Sequence, residues 1–336
     1  MPTITSPHEL LELGVYVDLR PLLHRDLHLK CEGFNFGGSV KMRTAAAMIA
    51  AAEHDGSLRP DSILVESSSG NLGIALSVVA SSKNLKFTCV TDRRCNTSTQ
   101  RLMRALGTNV VVIDEQDPEG GLLGARKAYV RQLCQTDRRF LWLNQYENPA
   151  AWMVHHDTTA LEIAKEFPDL DVLFVGTGTG GTLMGCARYF KQNARNVRVV
   201  AVDAAGSVNF GGPAGPRLIP GLGASLPAPA LDLDLVDDIV SVSETDTIRA
   251  CRALCARGFL FGGSTGTVVS GAMSWLGRHD PGRSLRSLAI APDLGDRYLD
   301  TVYDDRWVID HFGPPAAEPM VWDQQSAIHD PDRGRS

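Results

Sequence analysis

Four short stretches hold the residues best suited to chemistry. "NFGGSVKMR", residues 35–43, sets Lys41 after small residues and ahead of the apolar run "TAAAMIAAA", which reads as a helix. An amine near a helix N-terminus, partly stripped of water, has a lowered pKa, and its free lone pair can condense with a carbonyl. Alone, the same placement also suits a solvated surface lysine. "FVGTGTGGTLMG", residues 174–185, follows an apolar run and carries Gly176, Gly178 and Gly181 in G-x-G-x-x-G spacing. Successive backbone N–H groups at a helix start, with the Thr179 and Thr182 hydroxyls beside them, suit a dianionic phosphate without any Lys or Arg. Two more glycine-rich turns, "ESSSGNLG" (66–73) and "FGGSTGT" (261–267), complete the set.

These turns need elements to hold them. Short β-rich runs stand at 62–66, 86–91, 109–114, 140–144, 171–176, 197–203, 238–242 and 286–291. Helical patterns fill 71–83, 97–107, 120–135, 149–167, 180–192 and 244–257. The alternation predicts an α/β fold: mostly parallel open sheets with helices on both faces. "NPAAW" (148–152) breaks the rhythm, so two sheets are expected, one before and one after residue 150. In such sheets ligands collect where strands end and helices begin, which is where the glycine turns fall.

The composition narrows the partners. The chain has 336 residues, 43% hydrophobic and 21% charged, enough for two lobes. A net charge of -6 gives no global field that would draw nucleic acid or an anionic membrane, so an anionic ligand must be held by local donors. The seven cysteines are scattered and odd in number, and several sit in apolar runs such as "FTCV" around Cys89; reduced thiols in the cytoplasm are expected. Cys251 and Cys255 are four apart on a predicted helix, but no second pair completes a metal site, and none is expected. No signal peptide or membrane span is read, and the chain beyond about residue 313 is expected to be loose. His155 and His156 read as helix-surface or interface residues.

Residues 176–181 also fit a dinucleotide fingerprint, with Asp203 ending the next strand at about the spacing a ribose-binding acid requires. An NAD(P)-dependent oxidoreductase therefore stands as an alternative. It leaves the other two glycine turns without a role.

Taken in order, "SVK" near residue 40, "SSGNLG" after it, "GTGTGGT" in mid-chain and "GGSTG" toward the end resemble the fold type II pyridoxal-phosphate enzymes, the cysteine synthase and cystathionine β-synthase family, over roughly residues 10 to 305. The resemblance implies pyridoxal 5'-phosphate as cofactor and Lys41 as the Schiff-base lysine and Cα base. It implies Asn71 as partner of the cofactor's 3-oxygen, and Ser67, Ser68, Ser69, Gly70 and Asn71 as the loop that grips a substrate carboxylate. Gly178, Thr179, Gly180, Gly181 and Thr182 would form the phosphate cup, Ser264 would face the pyridine nitrogen, and Gln145 would line the substrate site. A helix-capping role for Ser264, at a helix starting near 265, is the plainer reading of that residue. Where the family often has Asn-Pro before the lysine loop, this chain has Asn35 and Phe36. The implied domains are 1–10 with 37–150, and 11–36 with 151–312, followed by a tail at 313–336.

A serine at position 264 would leave the ring nitrogen largely neutral, which favours β-elimination to an enzyme-bound aminoacrylate and then addition of a nucleophile. "ESSSGNLGIAL", "NQYEN", "VAVDAAGSVNFGG", "IPGLGAS" and "GDRYLDTVYDDRWV" look most like members that join O-phospho-L-serine to the amine of L-glutamate on the way to 2,3-diaminopropionate for siderophores or peptide antibiotics. A dehydrogenase would then split the product. Gly178 makes the cup look more like ordinary cysteine synthases, and cysteine synthesis from O-acetylserine or O-phosphoserine with sulfide is the same-fold alternative. Both substrates of the leading reading are small anions. Arg126, Tyr146 and Arg217 are the first candidates to meet them, since Arg suits bidentate carboxylate or phosphate binding. The family implies a homodimer.

Overall fold

Runs such as "VLFVG" and "SLAIA" are apolar almost throughout because the strands they form are covered on both faces. The computed structural model describes residues 3–11, 14–118, 120–193 and 196–322. In chain order its main elements are β1 (Tyr16–Asp18), α1 (Arg20–Leu23), β2 (Leu27–Cys31), α2 (Lys41–His54), β3 (Ile63–Ser67), α3 (Asn71–Ser82), β4 (Lys86–Asp92), α4 (Thr97–Ala105), β5 (Asn109–Ile113), α5 (Gly121–Thr136), β6 (Phe140–Trp142), α6 (Ala150–Val154) and α7 (Leu161–Glu166). These are followed by β7 (Val172–Gly176), α8 (Gly181–Gln192), β8 (Arg198–Ala204), β9 (Asp238–Val242), α9 (Glu244–Cys255), α10 (Gly263–His279), β10 (Ser287–Ala291) and α11 (Asp305–Phe312).

Two sheets result. Four strands run β5-β4-β3-β6, all parallel, and six run β1-β2-β10-β7-β8-β9, parallel except for the β1–β2 pair. The two-residue strand period sorts the larger core. Val172, Phe174, Val200, Val202, Ala289 and Ala291 face α10. Their neighbours Leu173, Val175, Val199, Ala201, Leu288 and Ile290 face α7 and α8 through Ile163, Met184 and Phe190. The smaller sheet packs Leu64 and Cys89 against α2 and α3, and Val65 and Val90 against Val130 of α5.

The sequence pattern passed over β1 and β2. "LHLKC" is interrupted by His28 and Lys30, yet all five residues are buried. The strand survives because Lys30 is paired: its Nζ lies 2.9 Å from Glu32 and 2.6 Å from Glu162, and Arg43 of α2 bonds both of those carboxylates. The helix expected over 149–167 is three pieces, α6, a π-helical stretch His155–Ala160, and α7. Here the expectation for His155 fails. It is fully buried, with Nδ1 3.0 Å from the Thr159 hydroxyl and Nε2 3.2 Å from that of Thr44 and 3.3 Å from that of Thr182. His156 does lie nearer the surface, against Asp157 and Gln192.

The tail also departs from expectation. Pro314–Ala317 form a 3₁₀ turn, and Ala316 is buried beside Val302 and Val308. Arg252 donates to the Ala317 carbonyl at 3.1 Å, and the Met320 N–H donates to that of Arg249 at 2.9 Å. The rest of the expected loose tail, 323–336, lies outside the described residues. No described helix is long and apolar enough to cross a membrane.

Candidate active site

Lys41 is the first residue of α2, half-buried, with its N–H directed at the Ser39 hydroxyl. Burial pushes its amine below the usual lysine range, and the carboxylate of Asp293 opposes that shift. Asn35 holds the loop ahead of it by donating to the Glu32 and Ser39 carbonyls, at 2.9 and 3.0 Å, and accepting from the Gly37 N–H at 3.0 Å. The loop is therefore closed without a proline, while Phe36 stays exposed.

The loop 67–71 joins the end of β3 to the start of α3. Ser68 Oγ accepts from the N–H groups of Gly70 (3.3 Å) and Gly73 (2.9 Å), tying the turn to the helix start. Gln145 Nε2 and the Tyr146 hydroxyl both donate to the Ser67 carbonyl, at 2.9 and 3.3 Å. Beneath them the fully buried Glu66 accepts from the N–H groups of Ser67 and Gln145 and from the Trp142 indole, at 2.7, 3.0 and 3.1 Å. Burial nevertheless pushes its carboxyl up to about 7.

The mid-chain glycine turn becomes the N-terminus of α8. Gly180 caps it at φ +86°, in the left-handed region that L side chains avoid. Gly223 N–H donates to the Thr177 carbonyl at 2.8 Å and Asn209 to that of Gly178 at 3.0 Å, closing a wall of loop over the turn.

One cavity joins these parts. Lys41, Ser67, Ser68, Ser69, Gly70 and Asn71 line it, and so do Gly178, Thr179 and Thr182. Gln145, Tyr146, Arg126 and Arg217 line it as well. Gly180 and Gly181 do not. They build the helix start from behind, where a Cβ on Gly181 would stand 2.7 Å from the Ala151 carbonyl oxygen. Ser264 is buried behind Gly221, whose φ is +117° and whose Cβ, if present, would lie 2.2 Å from Ser264 Oγ. It is the second residue of α10, which Gly262 caps, so the capping expectation fails.

Arg126 is buried, its Nε 3.1 Å from Asp92 and its Nη1 without a hydrogen-bond partner among the described residues. Arg217 donates to the Gly206 carbonyl and, at 3.0 Å, to Ser225 Oγ. Sequence reasoning passed over Arg94, Lys127 and Arg297, which also line the cavity. Lys127 was findable, since it follows Arg126, and Arg297 lies in the quoted stretch "GDRYLDTVYDDRWV". Besides Lys41, five cationic side chains thus line one cavity, and among the described residues its lining holds no Asp or Glu, in a chain of net charge -6. Asp203, which a dinucleotide would require, is not part of this lining; its carboxylate accepts from the Ala204 N–H at 2.9 Å.

The donor set fits pyridoxal phosphate. A helix N-terminus with two threonines can take the phosphate, and a lysine with a depressed pKa shares the cavity for the aldehyde. When bound, the cofactor supplies an electron sink beside a substrate's α-carbon.

The fold and site define a fold type II pyridoxal-phosphate enzyme. The family profile described as "Pyridoxal-phosphate dependent enzyme" matches residues 16–292, and the chain belongs to that family. This sets aside the oxidoreductase alternative. The chain is 40% identical over 285 residues to an N-(2-amino-2-carboxyethyl)-L-glutamate synthase of Ralstonia nicotianae, covering 84% of each chain. It is 39% identical over 298 residues to a synthase of the same name from Cupriavidus metallidurans, covering 87% of each. Among solved structures, O-ureido-L-serine synthase matches with a TM-score of 0.83 at 32% identity, covering 93% of this chain and 96% of that one.

Proposed function

We propose that the protein joins O-phospho-L-serine and L-glutamate to give N-(2-amino-2-carboxyethyl)-L-glutamate and inorganic phosphate. The observation that carries this reading is a cavity lined by five cationic side chains besides Lys41 and, among the described residues, by no carboxylate, which suits a phosphorylated amino acid and a dicarboxylate. The two synthase relatives support the same choice. Lys41 takes the substrate's Cα proton, and the burial that lowers its pKa favours the neutral amine that this role needs. The hydroxyls and N–H groups of 67–71 hold the substrate carboxylate. Arg126, a cationic residue of the cavity lining, meets the departing phosphate, and Tyr146 borders the same space. Thr179 and Thr182, with the amides of Gly178, Gly180 and Gly181, would hold the cofactor phosphate, and Ser264, which stands behind Gly221 and outside the cavity lining, would be the partner of its ring nitrogen. The Cα–H and Cβ–O bonds break as phosphate leaves. The glutamate nitrogen then forms the Cβ–N bond and loses a proton, and Cα is reprotonated.

In this reading the protein works as a cytoplasmic homodimer, and all seven of its cysteines are unpaired. A dehydrogenase would release 2,3-diaminopropionate from the product for a siderophore or a peptide antibiotic. The test supplies purified enzyme with O-phosphoserine and an equal mixture of glutamate and sulfide, then identifies products by mass. The secondary-amine adduct is expected, and cysteine as sole product would replace this reading with cysteine synthesis. Borohydride reduction should fix the cofactor's mass on the peptide carrying Lys41.

A further inference from the structure

Asn71 carries the substrate loop into α3, and its side chain is held from two sides by residues more than two hundred positions away. Its Nδ2 donates to Asp293 Oδ2 at 3.0 Å, and its Oδ1 accepts from Arg297 Nη1. The same Asp293 oxygen accepts from the Tyr298 hydroxyl at 2.6 Å, and Asp293 is fully buried. Arg297 Nη2 donates to the Gly37 carbonyl in the lysine loop, and its own carbonyl accepts from Asn96 Nδ2 at 3.1 Å. Asp293 lies outside the cavity lining, whereas Asn71 and Arg297 are part of it.

A side-chain amide has an oxygen that only accepts and a nitrogen that only donates. Turning the Asn71 amide over would set its NH₂ against a guanidinium and its oxygen against a carboxylate, two repulsive contacts in place of two charge-assisted bonds. With one N–H committed to Asp293, a single N–H is left to donate. We propose that Asp293 and Arg297 are positioning residues that lock the Asn71 amide so that its remaining N–H meets the ring oxygen of the cofactor. The lock commits Asn71 to donation, which matches a deprotonated ring oxygen. The proposal rests on the assignment of Asn71 to that oxygen.

The test titrates apoprotein with pyridoxal phosphate and with its analogue lacking the ring hydroxyl. Dissociation constants are read by absorbance for the wild type, Asn71→Ala, Arg297→Met and Asp293→Asn/Arg297→Met. A hydrogen bond to a charged oxygen should make the wild type prefer the natural cofactor by about tenfold or more. Asn71→Ala should lose that preference. Arg297→Met should lose part of it and the double variant most of it, while their affinity for the analogue changes by less than about threefold. Equal weakening toward both ligands would mean a structural role only and would overturn the lock. A preference kept by Asn71→Ala would overturn the premise instead, and a preference lost there but intact in the Arg297 variants would overturn the lock alone. If the double variant does not fold, Arg297→Met decides.

Discussion

Arg126 and Asp92 meet 3.1 Å apart, from α5 and the end of β4, with side chains that are 7% and 0% exposed. The pair explains how a cation comes to stand in the cavity wall: its charge is balanced from behind by a buried carboxylate. Arg126→Ala would strand a buried carboxylate, since Arg94 Nε is 3.6 Å from the other oxygen and half-exposed. A loss of about 3–5 kcal/mol in denaturant unfolding is expected. Arg126→Lys should keep the fold more nearly intact and raise the KM for O-phosphoserine by about tenfold, because an ammonium cannot reach both partners with the same geometry.

Glu66 gives a pH dependence with a definite sign. Its carboxyl holds its proton up to about 7 in the folded chain but releases it near the ordinary value of 4.5 when unfolded. Between those values the folded state binds more protons, so stability falls as pH rises across that window. Wild type should lose up to about 3 kcal/mol relative to Glu66→Gln between pH 4.5 and 7, read from chemical denaturation of both proteins. Parallel stability curves for the two would contradict the assignment.

Gly180 sits at φ +86° at the N-cap of α8. Gly180→Ala should cost about 1–2 kcal/mol of backbone strain. The strain is relieved by moving the amides of the cup, so cofactor affinity should drop by about tenfold, measured by apoprotein titration. Unchanged affinity would place the phosphate elsewhere.

Lys127, whose Nζ stands 4.7 Å over the Tyr146 ring, and Arg94 lie at partly exposed positions of the cavity wall. Their charge should matter through space and be screened by salt. Lys127→Gln and Arg94→Gln are each expected to raise KM for the anionic substrates several-fold at low ionic strength. The difference from wild type should shrink as salt rises; a salt-independent difference would point to direct contact.

Much of this site is visible in the chain because it is made of local rules. A glycine at a left-handed N-cap, threonines at a helix start and a serine-rich turn between strand and helix leave signatures within ten residues. The starts of α3, α4 and α8 fall within a residue of the positions read from periodicity. β2 was missed because a strand's apolar pattern does not survive a buried lysine, and one of that lysine's partners, Glu162, comes from α7, far along the chain. His155 was misplaced for a related reason. Its partners, Thr44 of α2 and Thr182 of α8, lie far from it along the chain, so its burial leaves no local pattern.

The amino-acid sequence by itself determined the order of the motifs, the lysine, and the helix starts that can hold an anion, because each depends on backbone geometry and neighbours a few residues apart. The tertiary structure alone decided that five cationic side chains share one cavity with Lys41 in an acidic protein, that Ser264 stands behind Gly221, and that Asp293 and Arg297 grip Asn71. These depend on which strand ends the crossovers bring together. The free energy of such contacts comes from burial and charge pairing across the fold, and no local pattern encodes it.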